Sequence, residues 1–267
     1  MLLDDTLIRE LKETALLASV AAAEVTTGYF RSDRLGINNK DAGGFDPVTK
    51  ADREAELAIR KVIEERRPAD GILGEEFPSV AGETGLTWII DPIDGTRGFM
   101  SGTPTWGTLI SVGDASGPIL GIIDQPYTGE TFLGGPGIAE LRRAGTTTPL
   151  GVRPSKELSD ATIFTTFPEV GTTVEGEAFH ALARQTRLTR YGMDCYAYAL
   201  LAAGQIDLVV EAGLHIYDIH APVAVIQAAG GIVTNWQGEP AHGGGRVLAA
   251  ASRELHAAAL QVLKRCP

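Results

Sequence analysis

Trp88-Ile89-Ile90-Asp91-Pro92-Ile93-Asp94-Gly95-Thr96 sets two carboxylates three residues apart at the end of an apolar, β-rich run. On a turn stiffened by Pro92 they repel each other unless a cation lies between them. Hard oxygen ligands of this kind suit Mg²⁺, which is usually held by a few carboxylates and by substrate phosphate. The amides of Gly95 and Thr96 could donate to a phosphate oxygen, especially if they open a helix. The same residues also read as an acidic turn in which Asp94 caps a helix. Three other segments carry acids in comparable settings. Gly74-Glu75-Glu76-Phe77 follows the apolar pair Ile72-Leu73, where a strand would end; taken alone it is a pair of solvated loop charges. Tyr217-Asp218 stands directly before an apolar helix, where an Asp commonly serves as N-cap. Asp46-Pro47-Val48-Thr49 holds a carboxylate and a hydroxyl on a turn.

The elements that must position these acids follow from periodicity. Leu7, Leu11, Ala15, Ala18, Ala22 and Val25 predict a helix from about Asp4 to Phe30, and Thr49 with Asp52 caps a second, from about Lys50 to Arg67. The Thr87 to Ile90 run is expected to stop at Asp91-Pro92. Runs at Thr105 to Val112, Ile119 to Asp124 and Glu130 to Leu133, separated by Gly and Pro, predict an antiparallel meander. Beyond residue 150 the texture alternates. A strand is expected near Ile163 and another over Ile206 to Val210, with helices near Glu175 to Arg187, Asp194 to Ala203, Ile219 to Ala229 and from Ser252 to Leu263. The division predicts an α+β subdomain over residues 1–150 carrying most of the acids, and an α/β subdomain over 151–267.

The composition limits the partners. Of 267 residues, 34 are acidic and 23 basic, a formal charge of −11, while 44% are apolar and 32 are glycine. That is too apolar for a disordered chain and too negative for nucleic acid or an anionic membrane as the main partner. A phosphorylated substrate remains compatible if metal ions reverse the local field. Cys195 and Cys266 make no CxxC pair, no apolar run is long enough for a transmembrane helix, and the start lacks the basic region of a secretory signal, so a cytoplasmic setting is expected.

In order and spacing, the four acidic segments resemble the signature of the inositol monophosphatase-like family of Mg²⁺-dependent phosphatases, over nearly the whole chain. The resemblance implies a layered α-β-α-β-α sandwich, often dimeric, and inhibition by Li⁺. It implies that Glu75, Asp91, the Ile93 carbonyl, Asp94 and Asp218 are metal ligands, for two or three Mg²⁺ per site, and that Gly95 and Thr96 bind phosphate. Thr96 with Asp46, and Glu75 through a bound water, would position and activate the nucleophile. Competing phosphatase mechanisms lack their parts here: the chain has Asp91-Pro-Ile-Asp94 instead of Asp-x-Asp, Leu201 stands where a Cys195 nucleophile would want arginine, and the five histidines form no phosphohistidine motif.

Gly192-Met-Asp194-Cys195-Tyr196-Ala-Tyr198 and Val210-Glu211-Ala-Gly213-Leu, with Asp94 to Phe99, Trp106 to Ile110 and Gly121 to Pro126, are most similar to the histidinol-phosphate phosphatase branch. Asp194 and Glu211 would give a cationic amino-alcohol phosphate two carboxylates, although Asp194 also reads as an N-cap and Glu211 alone could serve an inositol ring. A sugar phosphate or nucleotide bisphosphate would share every metal residue and differ only in the pocket.

Overall fold

The computed structural model describes residues 4–33, 37–39 and 47–265. Two helices, α1 (Asp5–Tyr29) and α2 (Lys50–Arg66), lead into the molecule, with a two-stranded ladder of β1 (Ile37–Asn39) and β2 (Pro47–Thr49) between them. The predicted cap of α2 is present: Thr49 and Asp52 bond reciprocally. A seven-stranded sheet follows, in the order β3 (Gly71–Gly74), β4 (Thr87–Asp94), β5 (Gly107–Asp114), β6 (Gly117–Gln125), β7 (Glu130–Gly135), β8 (Ile138–Arg143), β9 (Thr146–Pro149). Only β3 and β4 run parallel; the rest form the expected meander.

The second sheet is ordered β11 (Leu188–Tyr191), β10 (Thr162–Thr165), β12 (Leu208–Leu214), β14 (Gly245–Ala250), β13 (Ile232–Thr234). Its helices are α4 (Thr173–Ala183), α5 (Tyr196–Ala202), α6 (Ile216–Ala228) and α7 (Arg253–Leu263); the short α3 (Thr96–Ser101) follows β4.

Side-chain parity makes the layers. On the first sheet Trp88, Ile90, Ile110, Val112, Ile122 and Leu133 face α1 and α2, while their neighbours Leu109, Ile123 and Phe132 face α5 and α6. On the second sheet Phe164, Val209, Val247 and Ala249 meet α5 and α6 from the other side, and Ile163, Leu208, Val210 and Leu248 meet α4 and α7. The result is helix pair, sheet, helix pair, sheet, helix pair, the predicted layered sandwich. No described helix is long and apolar enough to cross a membrane.

Several expected boundaries move: α4 ends at Ala183, short of Arg187, α5 begins at Tyr196, and two shifts bear on the acids. β4 does not stop at Asp91 but runs on to Asp94, because a bulge accommodates Pro92 within it. α6 begins at Ile216, so Asp218 lies in its first turn and His215 takes the N-cap position.

The middle helix α6 lies very close to the first sheet. A Cβ at Gly134 would fall 2.4 Å from Val225 Cα, and one at Gly121 would fall 2.5 Å from the Ala221 carbonyl oxygen. These are backbone atoms, so a side chain there displaces the whole helix. Gly134→Ala is therefore expected to cost about 1–3 kcal/mol of stability by overpacking, a loss of several degrees in Tm. It should also weaken divalent-metal binding, because Asp218 rides on α6. Unchanged Tm and unchanged metal affinity would show that the contact is soft.

Candidate active site

The bulge in β4 builds the first part of the site. Asp91 pairs with Leu109 and Asp94 with Gly107, so Pro92 and Ile93 together oppose Thr108 alone. Each polar group released there has a local partner. The Ile93 amide donates to Asp91 Oδ1 at 3.0 Å, the Thr108 hydroxyl donates to the Pro92 carbonyl at 2.8 Å, and the Thr96 hydroxyl donates to the Ile93 carbonyl at 3.2 Å. Gly95 then takes a left-handed conformation, φ +86°, at the entry to α3. Glycine is required twice over, because a Cβ would also lie 2.7 Å from Asp194 Cγ.

The third acid arrives from the second half of the chain. Asp218 Oδ2 accepts the His215 amide at 2.7 Å, which fixes the carboxylate at the start of α6. Carboxylate oxygens of Asp91, Asp94 and Asp218 all lie within 4.8 Å of one another. Asp94 is held from the opposite side by the Cys195 amide at 2.6 Å. Glu75 is not one of this close triad. It follows β3, whose register ends with Gly74 opposite Ile90, so it emerges beside Asp91.

Burial and mutual repulsion raise all three carboxyls of the cluster. Burial, followed by the charges of Glu75, Asp94 and Asp218, drives the Asp91 carboxyl well above its ordinary range. Asp94 is raised by burial and then by Asp218 and Asp194. Asp218 is pushed up to about 6, with burial the main cause and Glu75 adding to it. Among the described residues the lysine and arginine ion pairs lie elsewhere, as at Arg60–Glu56, Arg67–Asp70 and Arg153–Asp207. Three crowded carboxylates, Asp91 buried and Asp94 and Asp218 partly so, with no lysine or arginine ion pair to them among the described residues and a fourth acid beside them, fit a divalent metal with oxygen preference.

A supporting residue escaped the sequence reading. Glu56, fully buried on α2, accepts the Glu76 amide at 2.7 Å, the Phe77 amide at 3.2 Å and Arg60 Nε at 2.8 Å. It pins the turn that carries Glu75. Its signal was available, since Glu56 and Arg60 accompany Ala55 and Ile59 on the core-facing stripe of α2, where isolated surface charges do not belong. Asp52 lies one turn earlier, and burial lifts its carboxyl to about 6 despite two bonds from Thr49.

The acids Asp94 and Asp218 open onto a cavity of about 290 Å³, also lined by Gly95, Thr96, Asp194 and Glu211. Asp194 does not cap α5, which begins at Tyr196. It sits at φ +46° and accepts the Thr105 hydroxyl at 3.1 Å. Burial raises its carboxyl, with Thr105 and the Arg97 charge acting in the opposite direction. Glu211, on β12, accepts the Thr165 hydroxyl at 3.1 Å, the Thr166 amide at 2.6 Å and the Thr166 hydroxyl at 2.9 Å. Burial still pushes it up to about 7. Tyr198, quoted above without a role, lines the same cavity, and its buried hydroxyl has no hydrogen-bond partner among the described residues. Arg190 lies exposed on β11. Asp46, expected beside the nucleophile, falls outside the described residues, as does Cys266.

Known proteins share this arrangement of sequence and fold. The chain is 39% identical over 221 residues to a chloroplastic bifunctional phosphatase of Arabidopsis thaliana, covering 82% of this chain but only 62% of that protein. It is 33% identical over 238 residues to a histidinol-phosphatase of Mycobacterium tuberculosis, covering 87% of this chain and 90% of the relative. The structure superposes on an inositol monophosphatase from Zymomonas mobilis with a TM-score of 0.82 at 37% identity, over 94% of this chain and 96% of the other. A family model matches residues 8–267, from α1 past the end of α7, and with it the bulged acidic strand and the acid on α6 find their common origin: the chain belongs to the inositol monophosphatase family.

Proposed function

We propose that this protein is an Mg²⁺-dependent phosphomonoesterase whose preferred substrate is L-histidinol phosphate, which it hydrolyses to L-histidinol and inorganic phosphate. The observation that carries the substrate reading is the pair of acids, Asp194 and Glu211, lining the cavity beyond the phosphate end. An ester that brings an ammonium and an imidazole supplies positive charge to pair with these two acids. The relatives agree in part, because a histidinol-phosphatase and an inositol monophosphatase are both similar to this chain.

Asp91, Asp94, Asp218, Glu75 and the Ile93 carbonyl would hold the metal. Bound divalent cations screen the ester's charge, lower the pKa of a water and stabilise the leaving alkoxide. The Gly95 and Thr96 amides bind the phosphoryl oxygens at the start of α3. Thr96, whose hydroxyl already donates to the Ile93 carbonyl, orients the attacking water. Asp46 would help Thr96 to position it, Glu75 would accept its proton, and the ester oxygen would leave on the opposite side. No residue forms a phosphoenzyme in this scheme.

A neutral ring is the second reading. A Glu211 carboxyl that titrates near 7 can hydrogen-bond an inositol hydroxyl as well as it can pair with a cation. Phosphate release from L-histidinol phosphate, myo-inositol 1-phosphate and an adenosine bisphosphate, compared as kcat/KM, separates the two. A larger value for the inositol ester would sink the substrate reading and leave the metal chemistry standing.

The same carboxyl predicts a pH signature. Cation binding needs Glu211 ionised, so the KM for histidinol phosphate should rise about tenfold per unit as pH falls below about 7. The inositol ester, run in parallel, controls for protonation of the phosphate itself. Glu211→Gln should raise the KM for the cationic ester and abolish its excess pH dependence. Parallel profiles for both esters in the unsubstituted protein would rule out an ionic role for Glu211.

A further inference from the structure

The mouth of the cavity carries an arrangement that the scheme above leaves unused. Phe167, 45% exposed, presents its ring there, and the Arg97 guanidinium carbon stands 4.9 Å from the ring centroid. Both residues line the cavity, one from the β10–α4 connection and the other from α3. Large exposed aromatics on a polar cavity rim cost apolar surface in water, and a cation over the face offsets part of that cost.

Phe167 directly follows Thr166, whose amide and hydroxyl are both held by Glu211. The carboxylate assigned to the cationic end of the substrate therefore also fixes the ring beside it. Arg97 reaches the same ring from α3 on a long, exposed side chain. A guanidinium is planar, delocalised and positively charged. The substrate's imidazole is planar and delocalised too, and carries the same charge when protonated, which for an ordinary imidazole happens below about pH 6.5, so the group already stacked on Phe167 shows what the ring can hold.

We propose that Phe167 is the platform for the planar, positively charged end of the substrate, and that Arg97 occupies it as an internal stand-in until substrate takes its place. The assignment rests on the cationic-ester reading above. It divides the substrate between a fixed phosphate end at Gly95 and Thr96 and a ring end at Phe167, with Glu211, bonded to the adjacent Thr166, also lining the cavity. Arg97, displaced, swings into solvent or toward Asp194, whose carboxylate it already faces.

Steady-state kinetics with L-histidinol phosphate and glycerol 2-phosphate, which has neither ring nor cation, test it. The readout is the ratio of the two KM values in the unsubstituted protein and in three variants. Phe167→Leu keeps the apolar bulk and removes the π face, and should shift the ratio against histidinol phosphate roughly three- to tenfold. Phe167→Tyr restores the face and should restore the ratio. Arg97→Met removes the competing cation but keeps the stem, and should lower the KM for histidinol phosphate several-fold. A ratio unmoved by Phe167→Leu, or not restored by Phe167→Tyr, overturns the platform. A rise in both KM values with Arg97→Met overturns the stand-in role and makes Arg97 a phosphate ligand. If the unsubstituted protein prefers myo-inositol 1-phosphate, the substrate reading falls and takes this assignment with it; a retained histidinol phosphate preference with an unmoved ratio overturns the platform alone.

Discussion

Asp94→Asn is expected to lower kcat/KM on any phosphate ester by about a thousandfold or more, with the fold intact. Asparagine keeps the volume and still offers an oxygen to the Cys195 amide, which Asp94 now accepts at 2.6 Å. What it removes is one negative charge from three carboxylates within 4.8 Å of one another. Metal ions supply several kcal/mol of charge stabilisation to a transition state of this type, and about 1.4 kcal/mol corresponds to tenfold in rate. With Asp94 one of the few ligands proposed for the metal, its loss should therefore reach about three orders of magnitude. The control lies in stability: without metal the substitution relieves repulsion at Asp91 and Asp218, so the variant should melt at or above the temperature of the unsubstituted protein at pH 8. Near-normal turnover would show that the three acids do not form the catalytic centre. A lower Tm would mean that the activity loss reports unfolding.

The second large effect is a reversal of pH-dependent stability by metal. Asp52, Asp124 and Asp218 are each pushed up to about 6, and Glu211 to about 7, in every case chiefly by burial. A carboxyl whose folded-state pKa is raised binds protons in the folded chain that the unfolded chain releases. Its contribution is complete at low pH and is lost as pH rises through the folded value. Each of these groups withdraws roughly 1–3 kcal/mol between pH 5 and pH 8. His220 opposes them. Burial lowers it to about 4, so between 6.5 and 4 its stabilisation is lost as pH falls, by about 2 kcal/mol at pH 5.

His256, also lowered by burial, acts in the same direction as His220, and the four acids outweigh the two histidines. Metal-stripped protein should therefore melt several degrees higher at pH 5.5 than at pH 8, the opposite of ordinary acid lability. Millimolar Mg²⁺ should raise Tm strongly at pH 8 and little at pH 5.5, where the carboxyls are protonated, and so invert the order. Thermal melts in chelator and in Mg²⁺ at the two pH values measure this directly. Metal-free protein that is more stable at pH 8 would contradict the burial assigned to these acids.

How far could the chain be read without its coordinates? The alternation that points Leu109 and Ile110, or Ile122 and Ile123, to opposite faces was written in the apolar runs, because a strand has a period of two. The Thr49–Asp52 cap was legible for the same local reason. Asp91, Asp94 and their Gly95-Thr96 sequel were legible because bulge, turn and short helix are contiguous in sequence. Pro92, read as the end of the strand, instead marks a bulge within it, since a missing amide is tolerated where two residues oppose one.

By itself, then, the sequence determined the main helices, the strands from β4 to β7 and their faces, and which carboxylates could serve a metal, since each depends on neighbours within a few positions along the chain. Only the tertiary structure decided that Asp218 stands within 4.8 Å of Asp91 and Asp94. That distance is set by how closely α6 can approach a sheet bared at Gly121 and Gly134, and bare backbone carries no pattern that names its partner. It also decided that the buried Glu56 pins the Glu75 turn from another helix, and that Arg97 reaches across the cavity to Phe167. Such contacts join side chains that no periodicity links, and close packing of the layers alone brings them together.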